Sequence, residues 1–421
     1  MALLQIGKSR QGEIYLNGFN GVQPSISTNG NLLEEKARKI LNKKAFGYIF
    51  AGAGSNQGIQ NNLEAFKSYK IRSRILQGVE WPELTTNLLD LKLPYPFLFA
   101  PIGVLGLAHP KGDLELANAS KITQTPMIQS NQASFSMEAC AEILGNTNRW
   151  FQLYFGKSRD LVESLVNRAE ISGSKAIVLT LDTTMLGWRC IDLDQAYLPF
   201  LRGLGLAQYT SDPVFRKLMQ KHISTASNST KRKLPNIFDL IQLFNSYPDT
   251  FFNNIKSKNP IKAVSTFLDI YSNPSLSWED VKWLKTITKL PIILKGILHP
   301  EDALKAIDYG VQGIIVSNHG GRQIDQVISS LESMKTIKKT MDPSFPLILD
   351  SGIRTGIDIF IALALGAKAV CLGRPYAYAL AINGHQGVIE YVQNMASELS
   401  IAMSLVGCKT IDDISENLIS I

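Results

Sequence analysis

Eight short apolar runs punctuate the chain: Phe97–Ala100, Pro126–Gln129, Trp150–Tyr154, Ala176–Leu181, Pro291–Leu294, Gly313–Val316, Pro346–Leu349 and Ala369–Leu372. Runs without polar alternation belong to strands covered on both faces. The stretches between them read as amphipathic helices; Leu161, Leu165, Val166 and Ala169, for example, share one face. Eight strand–helix units predict an α/β fold, a closed (β/α)8 barrel rather than an open doubly wound sheet. Residues 1–96 are expected as an N-terminal extension packed on the barrel, with a helical stretch near Leu32–Phe50. Residues 97–421 form the barrel. Within them, residues 192–277 interrupt the pattern as a long insertion after the fourth strand, with Pro, Asn and Ser clusters and short helices. An insertion at the carboxyl end of a strand lies over the active face, as a lid or an oligomer contact.

Composition adds little that conflicts. The chain has 421 residues, 45% of them apolar and 19% charged, enough for a barrel with insertions and typical of a folded water-borne protein. No apolar run approaches the ~20 residues that cross a bilayer. Met1 to Arg10 holds too short an apolar stretch for a secretory signal, and Ile419-Ser420-Ile421 is no peroxisomal address. Cys140, Cys190, Cys371 and Cys408 are scattered, which suits neither a disulfide framework nor a metal site. The expectation is a reducing, cytoplasmic setting with no membrane and no metal. The net charge of +7 suits small anionic ligands. The lysines are dispersed, and the one dense run, Lys231-Arg232-Lys233, reads as a solvated loop rather than a nucleic-acid contact.

Candidate chemistry gathers where the strands end, which is where a barrel keeps its active site. In order, the ends carry Pro101-Ile102-Gly103; Ser130; Gln152 and Tyr154; Thr180 and Asp182, with Arg189 beyond; Lys295; Ser317 and His319; Asp350-Ser351-Gly352; and Gly373-Arg374. Polar groups at nearly every strand end would each need a partner if buried. The run Ser317-Asn318-His319-Gly320-Gly321-Arg322-Gln323 places a base three positions from a fixed cation, with two glycines that let the backbone pass close to a ligand. Such a pair can take a proton from an anionic substrate. Blander roles exist for single residues: Asp182 as a helix cap, Gly373-Arg374-Pro375 as a turn, Tyr48 and Tyr154 as core aromatics. His109, His299 and His385 read as loop and helix-start residues, and Cys371 as packing.

The run Ser317–Gln323 is specific to one family, and the chain resembles it from about Glu13 onward: the FMN-dependent α-hydroxy acid oxidising family, which includes glycolate oxidase, lactate oxidase and lactate 2-monooxygenase. Further matches are Phe151-Gln152-Leu153-Tyr154, Leu179-Thr180-Leu181-Asp182-Thr183 and Leu294-Lys295-Gly296. The lactate 2-monooxygenase subgroup is the nearest likeness, through Ala100–Val104, Leu186–Arg189, Asp194–Arg202, Asp350–Gly356 and the long insertion.

The resemblance implies roles. His319 matches the catalytic base and Asp182 the carboxylate that steadies it. Arg322 and Tyr48 match the clamp on the substrate carboxylate, and Tyr154 and Arg189 match further substrate-facing groups. On the FMN side, Lys295 matches the cation beside the edge where negative charge develops. Pro101, Ile102, Gly103, Ser130, Gln152 and Thr180 match contacts to the ring. Asp350 matches the ribityl contact, while Gly352, Arg354, Gly373 and Arg374 match the phosphate cup, and Ser317 lies within the same site. Ile102 departs from glycolate oxidase-like members, which carry a hydroxyl residue there. The implied reaction is oxidation of a small L-2-hydroxy acid, L-lactate foremost, with oxygen, giving acetate, CO2 and water. Alternatives are an oxidase or dehydrogenase that releases the 2-oxo acid, or a silent flavin-binding protein. A homo-oligomer, tetramer or octamer, is implied too.

Overall fold

The structure, a computed structural model, describes residues 6–221 and 236–421. The Lys231-Arg232-Lys233 run lies outside the described residues. Eight parallel strands close a barrel: β1 (Phe97–Phe99), β2 (Met127–Gln129), β3 (Arg149–Leu153), β4 (Ile177–Thr180), β5 (Ile292–Ile297), β6 (Gly313–Val316), β7 (Leu347–Asp350) and β8 (Ala369–Leu372). Each strand pairs with its sequence neighbours, and β8 pairs with β1 to seal the ring. The (β/α)8 expectation holds, with every run within a residue of its strand except Pro291–Leu294, whose strand continues three residues further, to Ile297.

The two-residue period of the strands decides what fills the barrel. Leu98, Ile128, Trp150, Val178, Ile293, Ile315, Ile348 and Ala369 belong to an interior cluster separate from the main core. Their neighbours Phe97, Phe99, Phe151, Leu153, Leu179, Leu294, Val316 and Leu349 pack outward against the helices. The hairpin Thr86–Leu88 with Leu91–Leu93 adds Leu88 and Leu93 to the interior cluster and stops its amino end. Two residues further along β2 to β7, the inward position turns polar, and that layer forms the floor of the site, while β1 and β8 place Ala100 and Cys371 there.

Outside the barrel, the expected helical stretch at 32–50 is two helices. The chain enters as α1 (Ile6–Phe19), followed by α2 (Gly30–Ile40), α3 (Lys43–Phe50) and α4 (Gln57–Lys67). The break between α2 and α3 is chemical: Asn42 sits in extended backbone and caps α3 by accepting from Ala45 N at 2.9 Å. Between β4 and β5 run short helices, among them Cys190–Asp194, Pro213–Lys221, Ile237–Ser246 and Asn259–Ile270. The chain ends on helix Arg374–Val406, broken at Asn383-Gly384, and a short strand Ile419–Ser420 that pairs with Lys70–Ile71. No helix among the described residues is long and apolar enough to cross a membrane. All four cysteines are unpaired.

Candidate active site

A cavity opens at the carboxyl ends of the strands, and most of the expected residues line it. His319, Arg322, Tyr48, Tyr154 and Arg189 do so, as do Pro101, Ile102, Gly103 and Lys295, and then Asp350, Gly352, Arg354, Gly373 and Arg374. Asp182, Ser130, Gln152 and Ser317 are bonded to the lining or to one another, and the Thr180 hydroxyl is buried without a partner among the described residues.

The centre is His319. It follows β6 in a turn where His319, Gly320 and Gly321 all have left-handed backbone, with φ of 57°, 64° and 74°. Gly321 has no alternative, since a Cβ there would lie 2.5 Å from Ile59 N of α4. The imidazole Nδ1 is 2.8 Å from Asp182 Oδ1 and 3.2 Å from Thr183 Oγ1. Asp182 reaches it because Gly296 stands opposite; a Cβ at 296 would come within 2.8 Å of the Asp182 Cβ. Gly296 (φ 105°) is where the β5–β6 register shifts, a bulge at the rim of the barrel.

Burial lowers the His319 pKa below the ordinary 6.5, outweighing the pull of Asp182 in the other direction. Burial would raise Asp182, but the His319 charge and hydrogen bond and the nearby Lys295 more than offset it, so its pKa is lowered. The pair at neutral pH is a carboxylate and a neutral imidazole whose Nδ1 carries the proton. Nε2 is then the basic nitrogen.

Cations surround this pair. Arg322 Nη1 donates to Tyr48 O at 2.8 Å and Ala51 O at 2.5 Å, the carbonyls at the end of α3. Arg374 donates to Ile49 O at 3.2 Å and Gly320 O at 2.8 Å. The helix end supplies the partial negative charge that holds both guanidiniums. The Arg322 guanidinium also stands 5.2 Å from the Tyr48 ring centre. Burial pulls Arg322 down to about 9, helped by the neighbouring Arg189. Burial likewise pulls Arg374 down to about 10. Both keep their charge at pH 7. Arg189 is fixed by Arg322 O at 3.1 Å and Gln323 Oε1 at 2.9 Å. Tyr154 stays a neutral phenol, pushed up to about 12 by burial and then by Asp182.

The floor is a second network. Lys295 Nζ donates to Ser317 Oγ at 2.9 Å and lies 3.0 Å from Asp350 Oδ2, which accepts from Ser317 Oγ at 2.5 Å. Burial works against the ammonium, yet Asp350 and Asp182 raise its pKa, so it stays charged. Beside it, Ser130 Oγ and Asn131 N donate to Gln152 Oε1 at 3.3 and 3.1 Å. Gln152 Nε2, Thr180 Oγ1 and Asn131 Nδ2 are buried with no partner among the described residues.

Residues not picked out from the sequence complete the walls. Gln132 lies two positions past Ser130, so the strand period could have found it. Leu186, Phe200 and Tyr271 come from the chain between β4 and β5, whose place after a strand's carboxyl end points to the active face without singling out these three side chains. His109 and His299 do serve turns, accepting from Lys111 N and Glu301 N. His385 pairs with Glu115 at 2.5 Å, away from the cavity.

The chain is similar to known proteins. The model of the FMN-dependent dehydrogenase family matches residues 37–421. An L-lactate oxidase of Lysinibacillus sphaericus is 40% identical over 90% of this chain and 89% of its own length. The FMN-dependent alpha-hydroxy acid dehydrogenase qulF of Penicillium citrinum is 36% identical over 96% of this chain and 94% of its own. Among solved structures, a putative lactate oxidase of Pediococcus acidilactici superposes with a TM-score of 0.74 at 33% identity, covering 93% of this chain and 94% of that one. A mandelate oxidase with (S)-4-hydroxymandelic acid gives 0.75 at 29% identity, covering 92% and 97%.

Proposed function

The chain belongs to the FMN-dependent dehydrogenase family, and on that premise we propose that it oxidises a small L-2-hydroxy acid, L-lactate foremost, with molecular oxygen. The observation that carries the reading is the His319–Asp182 contact of 2.8 Å in a cavity shared with Arg322, Arg189 and Lys295.

The residues present fit FMN. The buried, unpartnered Gln152 Nε2 and Thr180 Oγ1 offer hydrogen bonds to a heteroatom-edged ring. Gly373 precedes the long helix Arg374–Val406 without a side-chain cap, and a Cβ there would meet only Ala100 Cβ at 3.9 Å. That leaves an open helix start for a phosphate, beside Gly352, Arg354 and Arg374. Ser130, Gln152, Thr180 and the backbone of Pro101, Ile102 and Gly103 would hold the ring, Asp350 the ribityl chain, and Lys295, steadied by Ser317, the edge that gains charge. Bound FMN supplies a two-electron acceptor that oxygen can recharge.

The chain's own groups do the rest. Arg322, Arg189 and the phenols of Tyr48 and Tyr154 fix the substrate carboxylate, with a guanidinium fork matched to its two oxygens. His319 Nε2 takes the proton, and Asp182 stabilises the resulting imidazolium. Because His319 must be neutral to accept, kcat/KM should fall only as pH drops through a value below the ordinary imidazole 6.5. A pH–rate profile with its acid limb at or above that value would contradict the buried-base reading.

The fate of the product is a finer proposal: retention, giving acetate, CO2 and water from L-lactate and oxygen. Gly103 supports it by letting the wall pack closely, since a Cβ there would press on Gln132 Cβ at 3.1 Å. Phe200 and Tyr271 support it by walling the cavity. The relatives named as L-lactate oxidases favour release of the 2-oxo acid with hydrogen peroxide instead. Product analysis after aerobic turnover of L-lactate separates the two. Acetate in step with oxygen uptake supports retention, and pyruvate with free peroxide supports release. Turnover with an artificial acceptor but little oxygen uptake would make the protein a dehydrogenase.

A further inference from the structure

Asn62 of α4 and Asn318, beside the base, exchange two hydrogen bonds. Asn62 Nδ2 donates to Asn318 Oδ1 at 2.8 Å, and Asn318 Nδ2 donates to Asn62 Oδ1 at 2.8 Å. Each residue is 3% exposed. Their remaining capacity goes to the loop that carries His319. Gly321 N donates to Asn318 Oδ1 at 3.1 Å, Asn318 Nδ2 to Ile328 O at 3.0 Å, and Ser330 N to Asn62 Oδ1 at 3.1 Å. Asn318 N is bound by Ser330 Oγ at 2.9 Å. One pair of amides therefore fastens both the start and the return of residues 318–330.

Only a group with donor and acceptor on one planar head can close such a ring, and burial makes each broken bond expensive. The turn it clamps needs holding. His319 is a non-glycine residue at φ 57°, followed by two more left-handed residues. Such backbone persists where its surroundings over-determine it.

We propose that Asn62 is a positioning residue for proton transfer: through Asn318 it holds the His319 turn in the left-handed shape that sets the imidazole against Asp182. The inference rests on His319 being the base. It also makes the N-terminal extension part of the catalytic apparatus. Arg322 has its own anchor on the α3 carbonyls, so loss of the amide pair should disturb the base more than substrate capture.

The test is steady-state turnover of L-lactate by Asn62→Leu, with rates expressed per bound FMN. Removal of a supporting partner of this kind is expected to lower kcat about 10- to 100-fold. KM should stay within about threefold, as expected when uniform binding is kept. Asn62→Asp has nearly the same volume and keeps the acceptor for Ser330 N and Asn318 Nδ2 while losing the donor to Asn318 Oδ1. Its kcat should lie between wild type and Asn62→Leu, and it serves if the leucine variant does not fold. A purely structural role would lower the melting temperature or FMN content and leave kcat per bound FMN unchanged. Wild-type kcat in either variant, or a change confined to KM, overturns the proposal. His319→Gln run alongside separates the two readings: normal turnover there removes the base itself, whereas a dead His319→Gln with normal Asn62 variants removes only the positioning role.

Discussion

Replacing His319 with glutamine is expected to lower kcat for L-lactate about 10³-fold, the scale of a lost general base, while the protein still binds FMN. Glutamine can still donate toward Asp182 but has no basic nitrogen. The turn should survive, because its shape depends on Asn318, Gly320 and Gly321 rather than on the ring. The proposed substrate clamp is untouched, since Arg322 hangs from the end of α3 and Arg189 from Gln323. KM should therefore change far less than kcat. The acid limb of the rate profile should disappear with the group that produces it. Stopped-flow mixing of the FMN-loaded variant with L-lactate measures the step directly, and a rate near wild type would refute the assignment.

Lys295→Met is expected to have the second large effect, on stability and cofactor together. Lys295 is 4% exposed and lies 3.0 Å from Asp350. Removing the cation strands a carboxylate that keeps only hydroxyl partners, Ser317 and Ser351. Breaking a buried pair from one side costs about 3–5 kcal/mol, so the denaturation midpoint should fall and FMN should be held weakly. Adding Asp350→Asn removes the orphaned charge. Stability should then recover in large part, while FMN affinity stays low because the cation proposed to face the ring is still missing. If Lys295→Met unfolds at the wild-type midpoint and keeps its FMN, the floor network has been misread.

Much of this arrangement is legible in the chain because strands impose a period of two. Ile128, Trp150, Val178, Ile293, Ile315 and Ile348 point into the barrel. Two positions later stand Ser130, Gln152, Thr180, Lys295, Ser317 and Asp350. Barrel interior and site floor are successive layers of one pattern, so finding the strands locates the floor. Elements outside the barrel send no such signal. α1 buries only Gly7 and Arg10, so it carries no apolar stripe to reveal it. Asn62 reaches the His319 loop by long-range docking, which leaves no local trace, and the place of the insertion after β4 points to the active face without singling out Phe200 or Tyr271. The anchoring of Arg322 and Arg374 on α3 uses backbone carbonyls, and any sequence has those. The split of 32–50 into two helices was readable from Asn42 as a cap.

The central claim, that His319 and the surrounding cations serve a bound flavin that accepts electrons from a 2-hydroxy acid, meets its most direct test in an anaerobic titration. The FMN-loaded protein is mixed with L-lactate in the absence of oxygen, and the visible flavin band is followed together with pyruvate. The account predicts bleaching of the band with one 2-oxo acid formed per flavin. A yellow protein whose band stays unchanged under excess L-lactate, glycolate and mandelate would contradict it.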